Sequence, residues 1–160
     1  MMLQSDSTKQ SSPPDGAEVV FTKDNVAIRP TQSAPERITG RLELTKQSSS
    51  LFMTWIPYKG HSSAEARLSD NERNIYTIRA VPFADIRSIR RHTPALGLQY
   101  IVGVLSSGVA FPPFYFYSGV KEFFATIKQQ HALLVRLASD SMSLLIFLNL
   151  LFHLALLIVP

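Results

Sequence analysis

A chain of 160 residues with a net charge of +4 and 46% apolar side chains has room for one domain and appendages, not for two full domains. It contains no cysteine, which excludes disulfides and thiolate-bound zinc and leaves nothing to argue for an oxidising compartment. The mild positive excess favours acidic partners (membrane surfaces, acidic proteins, nucleic acid) without selecting among them.

Residues 1–17 are Ser/Gln/Pro-rich and read as a disordered lead. They lack the apolar h-region of a secretory signal, so a cytoplasmic protein is the expectation. Strand signals begin at residues 18–22 (EVVFT), followed by a Lys23-Asp24-Asn25 turn and a returning strand at 26–29 (VAIR). After a loop, residues 38–45 (ITGRLELT) alternate in polarity, with the phase disturbed at Gly40, which predicts a bulge there. A polar turn at 46–50 leads to a strand at 51–56 (LFMTWI). Residues 57–74 are polar throughout and read as a long exposed loop. Strands are expected again at 75–81 (IYTIRAV) and, after a turn at 82–85, at 86–91 (IRSIRR), whose Ile86/Ile89 spacing would equally suit a helical turn.

The stretch from Gly97 onward organises the rest. Residues 100–105 and 109–117 are two apolar, aromatic-rich runs joined by Ser106-Ser107-Gly108, a hairpin signature. Ser118-Gly119 then breaks the pattern, and Val120, Phe123, Phe124, Ile127 and Leu134 follow at helical spacing over about residues 119–137. The sum is a mainly β domain at residues 18–137. Its antiparallel sheet of about seven strands is bent into a sandwich or partly open barrel and capped by one C-terminal helix, a pleckstrin-homology-like arrangement.

Two long runs carry a more specific resemblance: IRPTQSAPERITGRLELTKQSSSLFMTWIPYKG and NIYTIRAVPFADIRSIRRHTPALGLQYIVGVLSSGVAFPPFYFYSGVKEFFATIKQ. Within the second, residues 105–127 join an apolar run, the Pro112-Pro113 pair, an aromatic segment and the glycine after Ser118 to an aromatic helix start. The chain thereby resembles the N-terminal Rab-binding domain that precedes the catalytic domain in one branch of TBC-type Rab GTPase-activating proteins, plant members in particular. That resemblance implies a pleckstrin-homology-like fold and a Rab-type small GTPase as partner in vesicle traffic. Catalysis in TBC proteins depends on an arginine and a glutamine finger in a large helical domain. Neither fingerprint (Ile-x-x-Asp-x-x-Arg or Tyr-x-Gln) occurs here, and the residues after Leu137 could not hold that domain. A regulatory module without GTPase activation is therefore expected.

Arg79, Arg87, Arg90, Arg91 and His92 are the densest charge on the chain. They are candidates for docking an acidic GTPase face or phosphoinositide headgroups, because guanidinium forks suit carboxylate and phosphate. The competing account is a solvated strand edge protected by charge against edge-to-edge pairing. Tyr58 and Lys59, near Trp55, form a second candidate at the start of the long loop, against a core tryptophan beside a mobile segment. The aromatic run Phe111, Phe114, Tyr115, Phe116 and Tyr117 could line a groove for proline-rich or nucleic-acid ligands. Alternation between core and surface is the favoured reading, and no nucleic-acid partner is expected.

No enzyme or cofactor signature emerges. Residues 103–108 (GVLSSG) have phosphate-loop glycine spacing but are followed by Val109-Ala110 instead of Lys-Ser/Thr. The four histidines, His61, His92, His131 and His153, lack ligand spacing, so no metal site is expected. Residues 138–160 form an apolar tail. From Met142 to the final Pro160 it carries no charge and as a helix would reach roughly 28 Å, near the bilayer's hydrocarbon thickness. It reads as a C-terminal membrane anchor with Arg136 on the cytosolic side, against an alternative chain end or a helix folded back through the face of Asn149 and His153.

Overall fold

The computed structural model describes residues 16–31, 33, 36–59 and 68–141, with side chains as far as His131 in the last helix. Residues 142–160, the expected anchor, and nearly all of the expected N-terminal lead lie outside the described residues, as does the side chain of Leu134. Seven antiparallel strands form one sheet. They are β1 (Ala17–Ile28), β2 (Ile38–Gln47), β3 (Ser50–Pro57), β4 (Ile78–Pro82), β5 (Ile86–His92), β6 (Gln99–Leu105) and β7 (Phe114–Phe116). Their order is β4-β3-β2-β1-β7-β6-β5, with β1 at the centre and β4 and β5 at the edges. A short helix α1 (Asp70–Tyr76) precedes β4, a 3-10 turn (Phe83–Asp85) joins β4 to β5, and α2 (Val120–Ser141) follows β7. This is the expected pleckstrin-homology-like architecture. Among the described residues no helix is long and apolar enough to cross a membrane.

The first expected hairpin is instead a single strand. Lys23-Asp24-Asn25 does use turn chemistry, and Asn25 adopts φ 59°, the left-handed region that asparagine tolerates. The result is a bulge. Lys23 pairs with Leu42 and Val26 with Gly40, so β2 accompanies both halves of β1 and the chain never reverses. Bulges strengthen twist and bend a strand, and only the end of β1, at Val26 and Ala27, also pairs with β7. Gly40 is not itself bulged. A Cβ there would collide with the Ile56 carbonyl oxygen and lie 2.7 Å from the Trp55 ring, so its glycine admits the indole. The β2–β3 turn is tighter than expected: Gln47 pairs directly with Ser50 across Ser48-Ser49.

The long polar loop contains α1. Ser69 caps it: its hydroxyl accepts from the Glu72 N–H (3.3 Å), while the Glu72 carboxylate accepts from the Ser69 N–H (2.8 Å). This reciprocal capping box was present in the sequence as Ser69-x-x-Glu72. It displaces the expected strand at 75–81, which starts only at Ile78. Residues 60–67 of that loop lie outside the described residues. Residues 86–91 resolve as strand, with a register shift between Ile86 and Ser88 that buries both Ile86 and Ile89. Opposite β6, Ala110 makes an isolated bridge with Val104 before Pro112 and Pro113 interrupt the ladder, because proline offers no N–H. Pairing resumes at Phe114–Phe116.

The core joins Leu42, Leu44, Met53, Trp55, Ile101, Phe114 and Phe116 from the sheet to Val120, Phe123 and Ile127 of α2. Trp55 is fully buried, and its Nε1–H donates to the Val26 carbonyl at 3.0 Å. Phe123 is fully buried too, with its ring centroid 5.6 Å from Phe21, 5.9 Å from Phe116 and 5.5 Å from Phe124. α2 starts after Gly119, whose φ of 92° sets the chain direction that no β-carbon would favour.

Candidate functional site

The expected basic cluster is divided by the fold. Arg79 lies on edge strand β4, at the opposite end of the strand order from β5, which carries Arg87, Arg90, Arg91 and His92. All five side chains are exposed. With Ile89 inward, strand alternation places Arg90 and His92 together on the outer face. Arg91 has the other parity, and Arg87 sits at the bulge.

Across that outer face runs a row of rings that the basic cluster alone did not disclose. His92, Tyr100 and Tyr115 are successive cross-strand partners on β5, β6 and β7. The His92 and Tyr100 rings stack at 4.8 Å with 9° between planes, and Tyr100 meets Tyr115 at 5.3 Å. Tyr115 in turn partners Ala27 on β1. Ala27 is fully buried although it alternates with the inward Val26 and Ile28, so its small side chain lies beneath the row. Two guanidinium groups complete it: the Arg29 and Arg37 carbons lie 5.4 Å and 4.7 Å from the Tyr115 ring centroid. Such contacts contribute about 0.5–1 kcal/mol each at exposed sites, enough to orient the cations. Nε of Arg29 is buried without a hydrogen-bond partner among the described residues.

The aromatic run divides as strand alternation demands. Phe114 and Phe116 are buried, Tyr115 is half-buried in the row, and Tyr117 is 64% exposed. Tyr100, Tyr115, Arg29 and Arg37 were not singled out as one surface from sequence. The available signal was the alternation of Tyr100 with Ile101 and of Tyr115 with Phe114 and Phe116. Arg29 and Arg37 are far apart along the chain from β7, and only the fold brings them to Tyr115. Beyond His92 the β5–β6 loop presents Leu96, 91% exposed. Gly97, Leu98, Tyr117 and Lys121 line a cleft of about 330 Å³ beside this loop and the start of α2.

Tyr58 and Lys59 belong to the other end of the sheet. The Tyr58 hydroxyl donates to Asp24 Oδ1, and Arg41 Nε donates to the same oxygen at 2.8 Å. The Tyr58 bond and then the Arg41 bond hold the Asp24 carboxyl below its ordinary pKa. Burial, then the bond to Asp24, pushes the Tyr58 phenol up, and the bond to Asp24 pushes the Arg41 guanidinium up. The Tyr58 N–H donates to Thr39 at 3.0 Å, so this trio pins the β1 bulge to β2 and β3. Lys59 Nζ lies 3.6 Å from Asp70 of α1, whose carboxylate also faces Arg73 at 3.7 Å. Trp55, their neighbour, is core.

The ion pairs among the described residues join Arg41 to Asp24 and Glu43, and Asp70 to Lys59 and Arg73. Arg29, Arg37, Arg87, Arg90 and Arg91 enter none of them, nor do Lys23, Lys46 and Arg79. Strands β5, β6 and β7 form a continuous stretch of sheet without an Asp or Glu. No group of three His, Asp or Glu side chains that could hold a metal occurs among the described residues. What the arrangement can do is present fixed cations and flat aromatic surface to an acidic partner.

The sequence model of a family described as Rab-binding domain (RBD) matches residues 18–150. That match covers every strand from β2 to β7, both helices and all of β1 but its first residue. No curated protein matches the chain.

Proposed function

The chain belongs to the Rab-binding domain family, and from that we propose that it is a non-catalytic module whose ligand is a Rab-type small GTPase. In this reading it is related to the regulatory N-terminal region of a Rab GTPase-activating protein and acts in the control of vesicle traffic. The family match over residues 18–150 carries the proposal. The exposed cations of β5, which form no ion pair among the described residues, support it, since electrostatic complementarity steers association and selects partners. The apolar residues 142–160 would hold the domain at the cytosolic face of a membrane.

The test is capture of a panel of Rab GTPases, loaded with GTP or GDP, by the purified chain. Preferential retention of at least one GTP-loaded member, persisting at moderate salt, is expected. Retention of none refutes the proposal. The alternative reading, a phosphoinositide or anionic-membrane module, draws on the same guanidinium groups. It requires binding to anionic vesicles that falls steeply as salt rises.

A further inference from the structure

We propose that the GTPase is contacted by the outer face of β5, β6 and β7, running from Leu96 through His92, Tyr100 and Tyr115 to Arg29 and Arg37. The complementary patch on the GTPase has carboxylates beside an apolar socket. The assignment rests on the binding reading above and gives it a location. Three independent observations converge on this face. First, Arg29, Arg37 and Arg90 share it and form no ion pair among the described residues, and its strands β5, β6 and β7 contain no Asp or Glu, whereas β1 and β2 carry Glu18, Asp24 and Glu43. Second, Arg29 and Arg37 are held over one ring. A guanidinium already oriented loses less side-chain entropy on pairing, and its planar fork matches a carboxylate. Third, Leu96 is the most exposed of the large apolar side chains described, in the loop between β5 and β6, strands that carry arginine and tyrosine, residue types that dominate binding hot spots.

The arrangement favours a protein over a lipid surface. Tyr100 and Tyr115 lie half-buried across the sheet, Tyr100 stacked on His92 and tilted against Tyr115, so they offer area to a facing surface and do not project as wedges. Leu96, in the β5–β6 loop, is the most exposed large apolar side chain described.

The experiment measures affinity of the full chain for the GTP-loaded GTPase best retained in the panel, for wild type and for Arg37→Glu, Leu96→Asp and Lys128→Glu. Lys128 is exposed on α2, which packs on the core side of the sheet, and serves as the distant charge reversal. Circular dichroism confirms folding of each variant. Arg37→Glu and Leu96→Asp should each weaken binding by about tenfold or more, with Lys128→Glu within about twofold. Wild-type affinity in both Arg37→Glu and Leu96→Asp, with GTPase capture intact, overturns the surface assignment and leaves the binding reading standing. Failure of wild type to retain any GTPase overturns both. Vesicles of phosphatidylserine and phosphatidylcholine form the last arm. Binding to them that is lost in Arg37→Glu, without GTPase binding, assigns the face to lipid and refutes the proposal.

Discussion

Replacing Phe123 by alanine tests whether α2 closes the sheet through a single ring. The side chain is fully buried and touches aromatic rings from β1, β7 and its own helix within 6 Å between centroids. Phenylalanine-to-alanine changes in cores cost about 3–5 kcal/mol, and aromatic pairs add about 0.5–1.5 kcal/mol beyond area burial, which places Phe123 at the upper end. Against a total stability of about 5–15 kcal/mol, that is a large fraction. For a domain of this size each kcal/mol moves the melting temperature by roughly 3–6 °C, so about 5 kcal/mol corresponds to a fall of about 15–30 °C. Phe124 is the comparison, adjacent in sequence but only half-buried, and its alanine variant should fall about half as far or less. Thermal unfolding followed by the fluorescence of Trp55, the sole tryptophan, reads both. Equal shifts for the two variants would refute the reasoning, because burial, not aromatic character, is held to decide the cost.

Gly40→Ala should destabilise by about 1–3 kcal/mol, as overpacking does, because the new methyl would meet the Ile56 carbonyl and the Trp55 ring; a urea midpoint equal to wild type sinks this account. Stability should fall on both sides of neutrality. Asp24 has its pKa lowered from 3.8, so its contribution is complete above about pH 4 and is lost as pH falls through the lowered value. His131 has its pKa lowered from 6.5 by burial, so stability is lost below about pH 6.5 as the unfolded chain takes up the proton. Tyr58 has its pKa raised above 10.0, so its contribution is present below pH 10 and is lost as pH rises through the raised value. Urea midpoints across pH should show Tyr58→Phe flattening the alkaline arm and weakening the acid arm set by Asp24; unchanged arms would refute the role given to this trio.

The sequence disclosed the elements whose signals are local. The Ser106-Ser107-Gly108 turn, the aromatic stripe of α2 and the strand periods are set by neighbours within a few residues. It misled where a local signal was used for another end. Lys23-Asp24-Asn25 has turn chemistry, but whether it reverses the chain or bulges it depends on β2 lying alongside, a contact made across the hairpin. Gly40 disturbed the strand phase because an indole from the next strand needs its space. The capping box of α1 was legible and was outweighed by polar composition. For the site, charge density along the chain pointed to β5 but could not separate Arg79, which the sheet order carries to the other edge. Nor could it connect Arg29 and Arg37 with Tyr115, residues united by the β1–β7 pairing at Ala27.

Edge protection accounts for part of the positive charge but not for its pattern. β5 is an edge strand, and Arg87, Arg90 and Arg91 would oppose edge-to-edge pairing without any partner being involved. Arg29 and Arg37 are outside that explanation, because they flank the junction of β1 and β2 in the interior of the strand order. Ion pairing does not account for them either. Exposed ion pairs are worth about 0–1 kcal/mol, and acids stand beside Arg41, Lys59 and Arg73. Arg29 and Arg37 gain from their contacts with the Tyr115 ring but repel each other, and no acid among the described residues pairs with them. The proposed contact with a GTPase would explain that pattern, because a partner's carboxylates would neutralise Arg29 and Arg37 beside the Tyr100 and Tyr115 rings.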